Sequence, residues 1–216
     1  QNPTSLKIKN EKNTGFANEY PIAIAEDNAF HFRYPETKEY LEALGMPLIT
    51  WKPTENEPIP INAKGLIIPG GFPEQYAEQL STATRALKSI KAFYGKCPIY
   101  AECGGMLLLG NSIKDLKGNS HVMAGLLPFD AEKGKLQVGY RKLRSLSNTL
   151  ILEKGDQLNG HEFHHWTLKS LKPVPSLNLS EKPPAFIHPW EMTSWNSNAI
   201  REGWSNERLH ASWIHL

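Results

Sequence analysis

Cys103 stands in "PIYAECGGMLLLG", between an apolar run and two glycines, a setting in which a thiol can act as a nucleophile. A sharp strand-to-helix turn that exposes a nucleophile needs small neighbours, because its backbone is strained and other segments pass close by. Gly104 and Gly105 supply them on one side and Ala101 on the other. The start of a helix also offers free N–H groups and the positive end of a dipole, which predict a Cys103 pKa below the ordinary ~8.5. The N–H of Gly104 is then a natural donor to an oxyanion formed on attack. A cysteine is more often an inert buried thiol, and Cys97, at the start of the same strand without such a setting, reads as core. The Cys-Gly-Gly corner reverses that reading for Cys103.

A second glycine turn lies in "LIIPGGFPE", where Pro69-Gly70-Gly71 ends a strand and a helix is expected to start at Pro73. Backbone N–H groups at Gly71 or Phe72 can face the same crevice as Cys103, and acyl transfer uses two such donors, each worth roughly 3 kcal/mol in the transition state. A thiol nucleophile also needs a base, and eight histidines compete for that role. "GHEFHHW" matches the zinc-protease pattern H-E-x-x-H at His161, Glu162 and His165, which binds metal only on a helix, where residues four apart share a face. The preceding "NG" turn and the β-prone aromatics predict a strand instead, on which His161 and His165 would stand about 13 Å apart. No metal site is expected there, and spacing alone does not choose the base.

The elements that must position these groups alternate along the first half. "PIAIA" (21–25), "MPLITWK" (46–52), "AKGLIIPGG" (63–71) and "CPIYAEC" (97–103) read as apolar strands. "PETKEYLEALG" (35–45), "PEQYAEQLS" (73–81), "TRALKSIKAFYGK" (84–96) and "GGMLLLG" (104–110) read as helices. That succession predicts a parallel sheet covered by helices, with reactive groups outside the carboxyl ends of the strands. After about residue 120, "GKLQVGYRKLRSL", "NTLILEKGDQLNGHEFHHWTL", "MTSWNSNAIREGW" and "RLHASWIH" read as strands joined by Gly/Asn/Ser turns, an antiparallel portion of the sheet. "KPVPSLNLSEKPPAFIHPW" (172–190) is Pro-rich and reads as a surface loop, and residues 1–20 as a flexible leader.

Composition narrows the function classes. The chain has 216 residues, 40% hydrophobic and 21% charged, enough for one good-sized core. Its net charge of +2 comes from mixed signs without basic runs, which speaks against a nucleic-acid partner. No stretch approaches the ~20 apolar residues of a membrane span, and the polar start does not look like a signal peptide. Two cysteines make no disulfide framework, so a cytoplasmic setting is expected. There is no G-x-x-x-x-G-K-[ST] phosphate loop. A start at Gln1 and an end at "ASWIHL" read as a piece of a longer protein.

Taken together and in order, "AEDNAFHFRYPETKEYLEALG", "PGGFPEQYAEQLS", "PIYAECGGMLLLG", "MAGLLPFDA", "LQVGYRKL", "GHEFHHWTL" and "EGWSNERLHASWIHL" resemble the glutamine amidotransferase domain of the cobyrinic acid family, over nearly the whole chain from Pro21. The resemblance implies a flavodoxin-like class I amidotransferase fold over residues 21–216: an α/β domain with a mostly parallel central sheet, helices on both faces and an antiparallel extension. It implies that Cys103 is the nucleophile, that His215 is its activating histidine, and that the amides of Gly71 and Gly104 form the oxyanion hole.

The resemblance further implies L-glutamine as substrate. Ammonia would pass to an ATP- and Mg2+-dependent synthetase domain, absent from this chain, that amidates the a and c carboxylates of a corrinoid. No cofactor is expected in the domain itself. Related triad amidotransferases carry a glutamate two residues beyond the histidine, a position this chain lacks, so a Cys-His dyad is expected. Glu162 is the nearest substitute, with a substrate-positioning or structural role preferred. Phe72 is a candidate for substrate binding. Tyr140 and Arg141 are candidates for meeting glutamine or the partner domain, against a solvated strand face, and Glu102 for tuning the turn or facing that partner. Other readings remain open: an amidotransferase domain for cobyric acid or a cell-wall precursor, a cysteine hydrolase of γ-glutamyl compounds, and a non-catalytic docking module.

Overall fold

Strands that are apolar at nearly every position have no face to give to water, and here they pair into the interior of a parallel sheet. The structure is a computed structural model and describes residues 20–170, 186–194 and 198–216. The leader up to residue 19 and the Pro-rich stretch up to residue 185 lie outside the described residues. In chain order the elements begin β1 (Ile22–Ala25), β2 (Phe30–Phe32), α1 (Pro35–Ala43), β3 (Leu48–Trp51), β4 (Gly65–Ile68), β5 (Gly70–Gly71), α2 (Ala77–Thr82) and α3 (Thr84–Phe93). They continue with β6 (Ile99–Glu102), α4 (Gly104–Leu109), β7 (Ser112–Lys114), β8 (Ser120–Val122), β9 (Phe129–Ser145) and β10 (Gln157–Ser170). The last four are β11 (Trp190–Thr193), β12 (Ile200–Glu202), β13 (Trp204–Ser205) and β14 (Leu209–Ser212).

The central sheet runs β13-β14-β6-β4-β1-β3, parallel from β14 to β3, with β13 added antiparallel at one edge. Ala23, Ala25, Leu66, Ile68, Ile99, Ala101, Leu209 and Ala211 from its strands are buried in one core. The helices follow their sequence signals. α1 opens on Pro35 and closes in a Schellman motif, in which Gly45 at φ 80 lets the N–H of Met46 donate to Leu41 O at 3.0 Å. α3 buries Ala86, Leu87 and Ile90 along one stripe. The single helix expected from Pro73 is broken: a 3-10 turn at Pro73–Gln75 precedes α2, with Tyr76 at φ −117 between them.

The antiparallel portion expected after residue 120 is realised as β13 and as a second sheet of order β12-β11-β9-β7-β8, with β10 paired along β9 and β7 parallel to β9. β14, from the "RLHASWIH" stretch expected to be antiparallel, instead pairs parallel with β6, because its residues are buried on both faces of the central sheet. The β9–β10 hairpin is long, and its register shifts between His164 and Trp166. Residues 148–156 of the second stretch expected as strand form turns instead. Cys97 is half-buried in the turn before β6 and so differs from the core position expected of it. Both cysteines are free. No helix among the described residues is long and apolar enough to cross a membrane.

One buried carboxylate ties the two sheets together. Glu202, on β12 of the second sheet, accepts hydrogen bonds from the Trp190 indole N–H (2.7 Å), the Ser212 hydroxyl (2.6 Å) and the Trp213 N–H (2.9 Å), the last two on the segment that ends the central sheet. Burial pushes its carboxyl above the ordinary range, and these three donors offset only part of that rise. Removing such an acceptor strands several donors away from water. Glu202→Ala is therefore expected to cost about 3–5 kcal/mol, measured by urea denaturation, whereas an effect near zero would show that the sheets are held by apolar packing alone.

Candidate active site

β4, β6 and β14 are neighbours in the central sheet, and their carboxyl ends bring the Gly70-Gly71 turn, Cys103 and His215 to one crevice. This is where a parallel sheet leaves reactive groups accessible. The crevice holds a cavity of about 610 Å³ lined by Gly71, Phe72, Cys103, Tyr140, Glu162 and His215 among others. β2, paired with β5, and the β9–β10 hairpin contribute the remaining walls.

Cys103 sits between β6 and α4 at φ 46, ψ −111, a conformation that residues with a side chain rarely adopt. The turn is held because the Cys103 N–H donates to Ser212 O at 2.7 Å and its own carbonyl accepts from Met106 N–H at 3.0 Å. The glycines around it are there for close approach. A Cβ on Gly104 would stand 2.6 Å from Gly71 O and 2.7 Å from Pro73 Cδ, and one on Gly70 would overlap the His215 ring.

The electrostatics reverse the expectation for the thiol. Burial pushes Cys103 up to about 12; the Gly104 N–H pulls it down, but Glu74, Glu102 and Glu162 add negative charge that opposes the thiolate. The helix-terminus argument fails because α4 is only one and a half turns long and the thiol is buried. At rest the S–H is protonated, with the carbonyl of Phe163 3.9 Å from Sγ. Attack therefore requires a proton acceptor in the cavity.

His215 is 3% exposed and is gripped on several sides. Its backbone bridges to β10, with His161 N–H donating to His215 O at 3.1 Å and His215 N–H to His161 O at 2.9 Å. Its ring stacks on His161 (centroids 5.0 Å apart, 20°) and meets Phe32 edge-on at 4.9 Å. Burial first, and then the nearby His215, lower the His161 pKa below the ordinary imidazole value. His215 Nδ1 lies 3.3 Å from Glu102 Oε2.

The other sequence candidates fall into two groups. The Phe72 N–H donates to Ala29 O at 3.0 Å, so it is not free for an oxyanion, and Gly71 and Gly104 are the candidates left. The Phe72 side chain and Tyr140, 83% exposed, stand at the cavity mouth. Arg141 turns its guanidinium onto Glu162, donating from Nε at 2.8 Å and also from Nη2, and Gly139 leaves room for it. Burial raises the Glu162 carboxyl, and the bonds from His164 and Arg141 more than reverse this, holding it below the ordinary range. Glu162 is thus committed to Arg141 and His164 and does not orient His215. The H-E-x-x-H residues lie on a strand, where His161 faces His215, Glu162 is bonded to Arg141 and His165 is exposed; His164 beside them stacks on Trp213 at 3.7 Å. Among the described residues no three His, Cys, Asp or Glu side chains converge to hold a metal.

Two carboxylates matter more here than the sequence suggested. Glu102 faces His215, and its one sequence signal is its position beside Cys103. Glu74, 9% exposed, lies with Cys103 and Gly104 around a small cavity of about 40 Å³. Nothing local in "PGGFPE" marks it as buried.

Comparison with known proteins agrees with this geometry. Residues 21–216 match the family model described as CobB/CobQ-like glutamine amidotransferase domain. Cobyrinate a,c-diamide synthases from Gloeobacter violaceus and a Synechococcus strain are 37% and 34% identical over 198 residues, covering 90% and 91% of this chain. The chain spans only 39% and 41% of their lengths. Among solved structures, a glutamine amidotransferase from Thermotoga maritima matches with a TM-score of 0.60 at 14% identity, covering 91% of this chain and 76% of that one. PurLQS from the same organism matches with a TM-score of 0.60 at 16% identity, covering 91% and 87%. These structures share the fold, a mixed α/β class I amidotransferase architecture.

The buried Glu74 sets a pH dependence. Burial raises its carboxyl from 4.5 to about 7. At pH 4 the group is neutral in both folded and unfolded chains, and the unfolded chain gains by ionising as pH rises from 4.5 through 7. Stability is therefore lost over that window. Glu74→Gln is expected to match wild type near pH 4 and to exceed it by up to about 3 kcal/mol at pH 8. Thermal melts across that range check it.

Proposed function

Because the chain belongs to the CobB/CobQ-like glutamine amidotransferase domain family, we propose that it hydrolyses L-glutamine through a Cys103 thioester and supplies ammonia to an ATP-dependent synthetase. The observation that carries this reading is the buried Cys103 at a positive-φ turn, opening on the same cavity as His215. His215 takes the thiol proton as sulfur attacks the side-chain amide carbon, and the oxyanion sits between the N–H groups of Gly71 and Gly104. The imidazolium returns the proton to the amide nitrogen, the C–N bond breaks and ammonia leaves. Water, deprotonated by the same ring, then cleaves the thioester to glutamate and free thiol. The high thiol pKa fits this scheme, in which thiolate forms only as the ring accepts its proton.

The acceptor in this reading is cobyrinate, amidated on its a and c carboxylates in cobalamin biosynthesis in the cytoplasm. It rests on the relatives' names and on their extra length. In this reading ATP and Mg2+ serve the synthetase, in keeping with the lack of a G-x-x-x-x-G-K-[ST] sequence in this chain. The cavity mouth carries Phe32, Tyr34, Val138, Tyr140 and Phe163, all more than 40% exposed. So apolar a rim suits a covering partner that keeps ammonia from water.

Glutamate release tests the proposal, measured with and without the synthetase partner. Cys103→Ala is expected to abolish it, and His215→Asn to lower kcat by about 10²–10⁴-fold. Release that survives Cys103→Ala would sink the thioester mechanism.

A further inference from the structure

The ring of His215 is held by packing, not by a hydrogen bond to its Nδ1. His161 covers one side of it, Phe32 abuts it edge-on, and its Cε1 lies over Gly70, where no side chain intervenes. Its Nδ1 is buried and makes no hydrogen bond. What packing leaves undetermined is which nitrogen carries the proton, and that choice decides whether the ring can accept one from a thiol. A carboxylate at Nδ1 settles such a choice by favouring the Nδ1–H tautomer and leaving the Nε2 lone pair free.

Glu102 is placed to do this. Its Oε2 is 3.3 Å from Nδ1, and its Oε1 accepts a 2.6 Å hydrogen bond from the Tyr100 hydroxyl and a 3.3 Å bond from the Leu216 N–H. Tyr100 and Glu102, two apart on β6, share a face of the strand. The Tyr100 ring stacks at 5.5 Å on His210, a buried side chain of the neighbouring strand β14. Burial first, then the charge of Glu102 and its bond, push the phenol well above its ordinary pKa, so it stays protonated and remains a donor. Glu162, which lines the same cavity, is spent on Arg141 and His164.

We propose that Glu102, braced by Tyr100, is the positioning residue for His215: it fixes the tautomer that accepts the Cys103 proton. It does so from the strand that carries the nucleophile itself. The role rests on the glutaminase reading above, but the geometry of the pair can be tested without turnover.

The test uses the chain labelled with 15N-histidine, with His215→Asn to assign the resonance, and measures tautomer populations and the rate of Cys103 alkylation by iodoacetamide. In wild type the Nδ1–H form of His215 is expected to dominate. Glu102→Gln should shift the ring toward Nε2–H and slow alkylation about tenfold, with Glu102→Asp restoring part of both. Where glutamate release is measurable, kcat should fall about 10²-fold or more with KM within about twofold. An unchanged tautomer ratio and alkylation rate in Glu102→Gln would overturn the proposal. If that variant does not fold, Glu102→Asp is read in its place, and the same null result overturns it. Absence of glutamate release in wild type with its synthetase would instead defeat the proposed function, and the tautomer ratio would still decide the role of Glu102.

Discussion

The parallel register of β14 on β6 pairs Ser212 with Glu102, and the Cys103 N–H reaches the Ser212 carbonyl at 2.7 Å, so the turn carrying the thiol and the strand leading to His215 form one hydrogen-bonded unit. A parallel neighbour advances in the same direction, so both chains leave the sheet on the same side. Trp213, Ile214 and His215 then continue past the sheet beside the nucleophile turn. A slip of one residue would turn His215 to the opposite face. Glu202 guards that register from the second sheet, because it binds both the Ser212 hydroxyl and the Trp213 N–H.

The same closeness has an electrostatic cost. Glu74, Glu102 and Glu162 all stand near enough to disfavour a thiolate at Cys103, and burial disfavours it further. A thiol in such a place is inert by itself and reactive only when its proton has somewhere to go. In the proposed mechanism the site therefore depends on the geometry of His215 more than on the intrinsic acidity of the cysteine.

Much of the frame was legible because its signals are local. The apolar strands, the Pro35 start and Gly45 stop of α1, and the strand–Cys-Gly-Gly–helix corner each depend on neighbours in sequence. "GHEFHHWTL" also read correctly as a strand, since its aromatics and preceding turn are local too. The separate second sheet, the β2–β5 pair and the break at Tyr76 depend on pairings that no short window contains. The thiol pKa was misjudged for the same reason: the helix terminus is visible in the sequence, but three carboxylates gathered from residues 74, 102 and 162 are not. Choosing His215 among eight histidines rested on the family resemblance, not on spacing.

The cavity walls belong to different sheets, and this bears on how the site can change. Gly71, Cys103 and His215 extend from the central sheet, whereas Val138, Tyr140 and Glu162 come from the β9–β10 hairpin of the second. A displacement of one sheet against the other would open or close the cavity without breaking any strand pair within either. The contacts that resist it include the His161–His215 backbone bridge, the Glu202 bonds to Ser212 and Trp213 and the stack of His164 on Trp213, all on residues 212–215, together with Phe129 against Trp204 and Trp190 against His210. Residues 212–215 therefore carry the proposed general base and also form one of the joints between the two sheets.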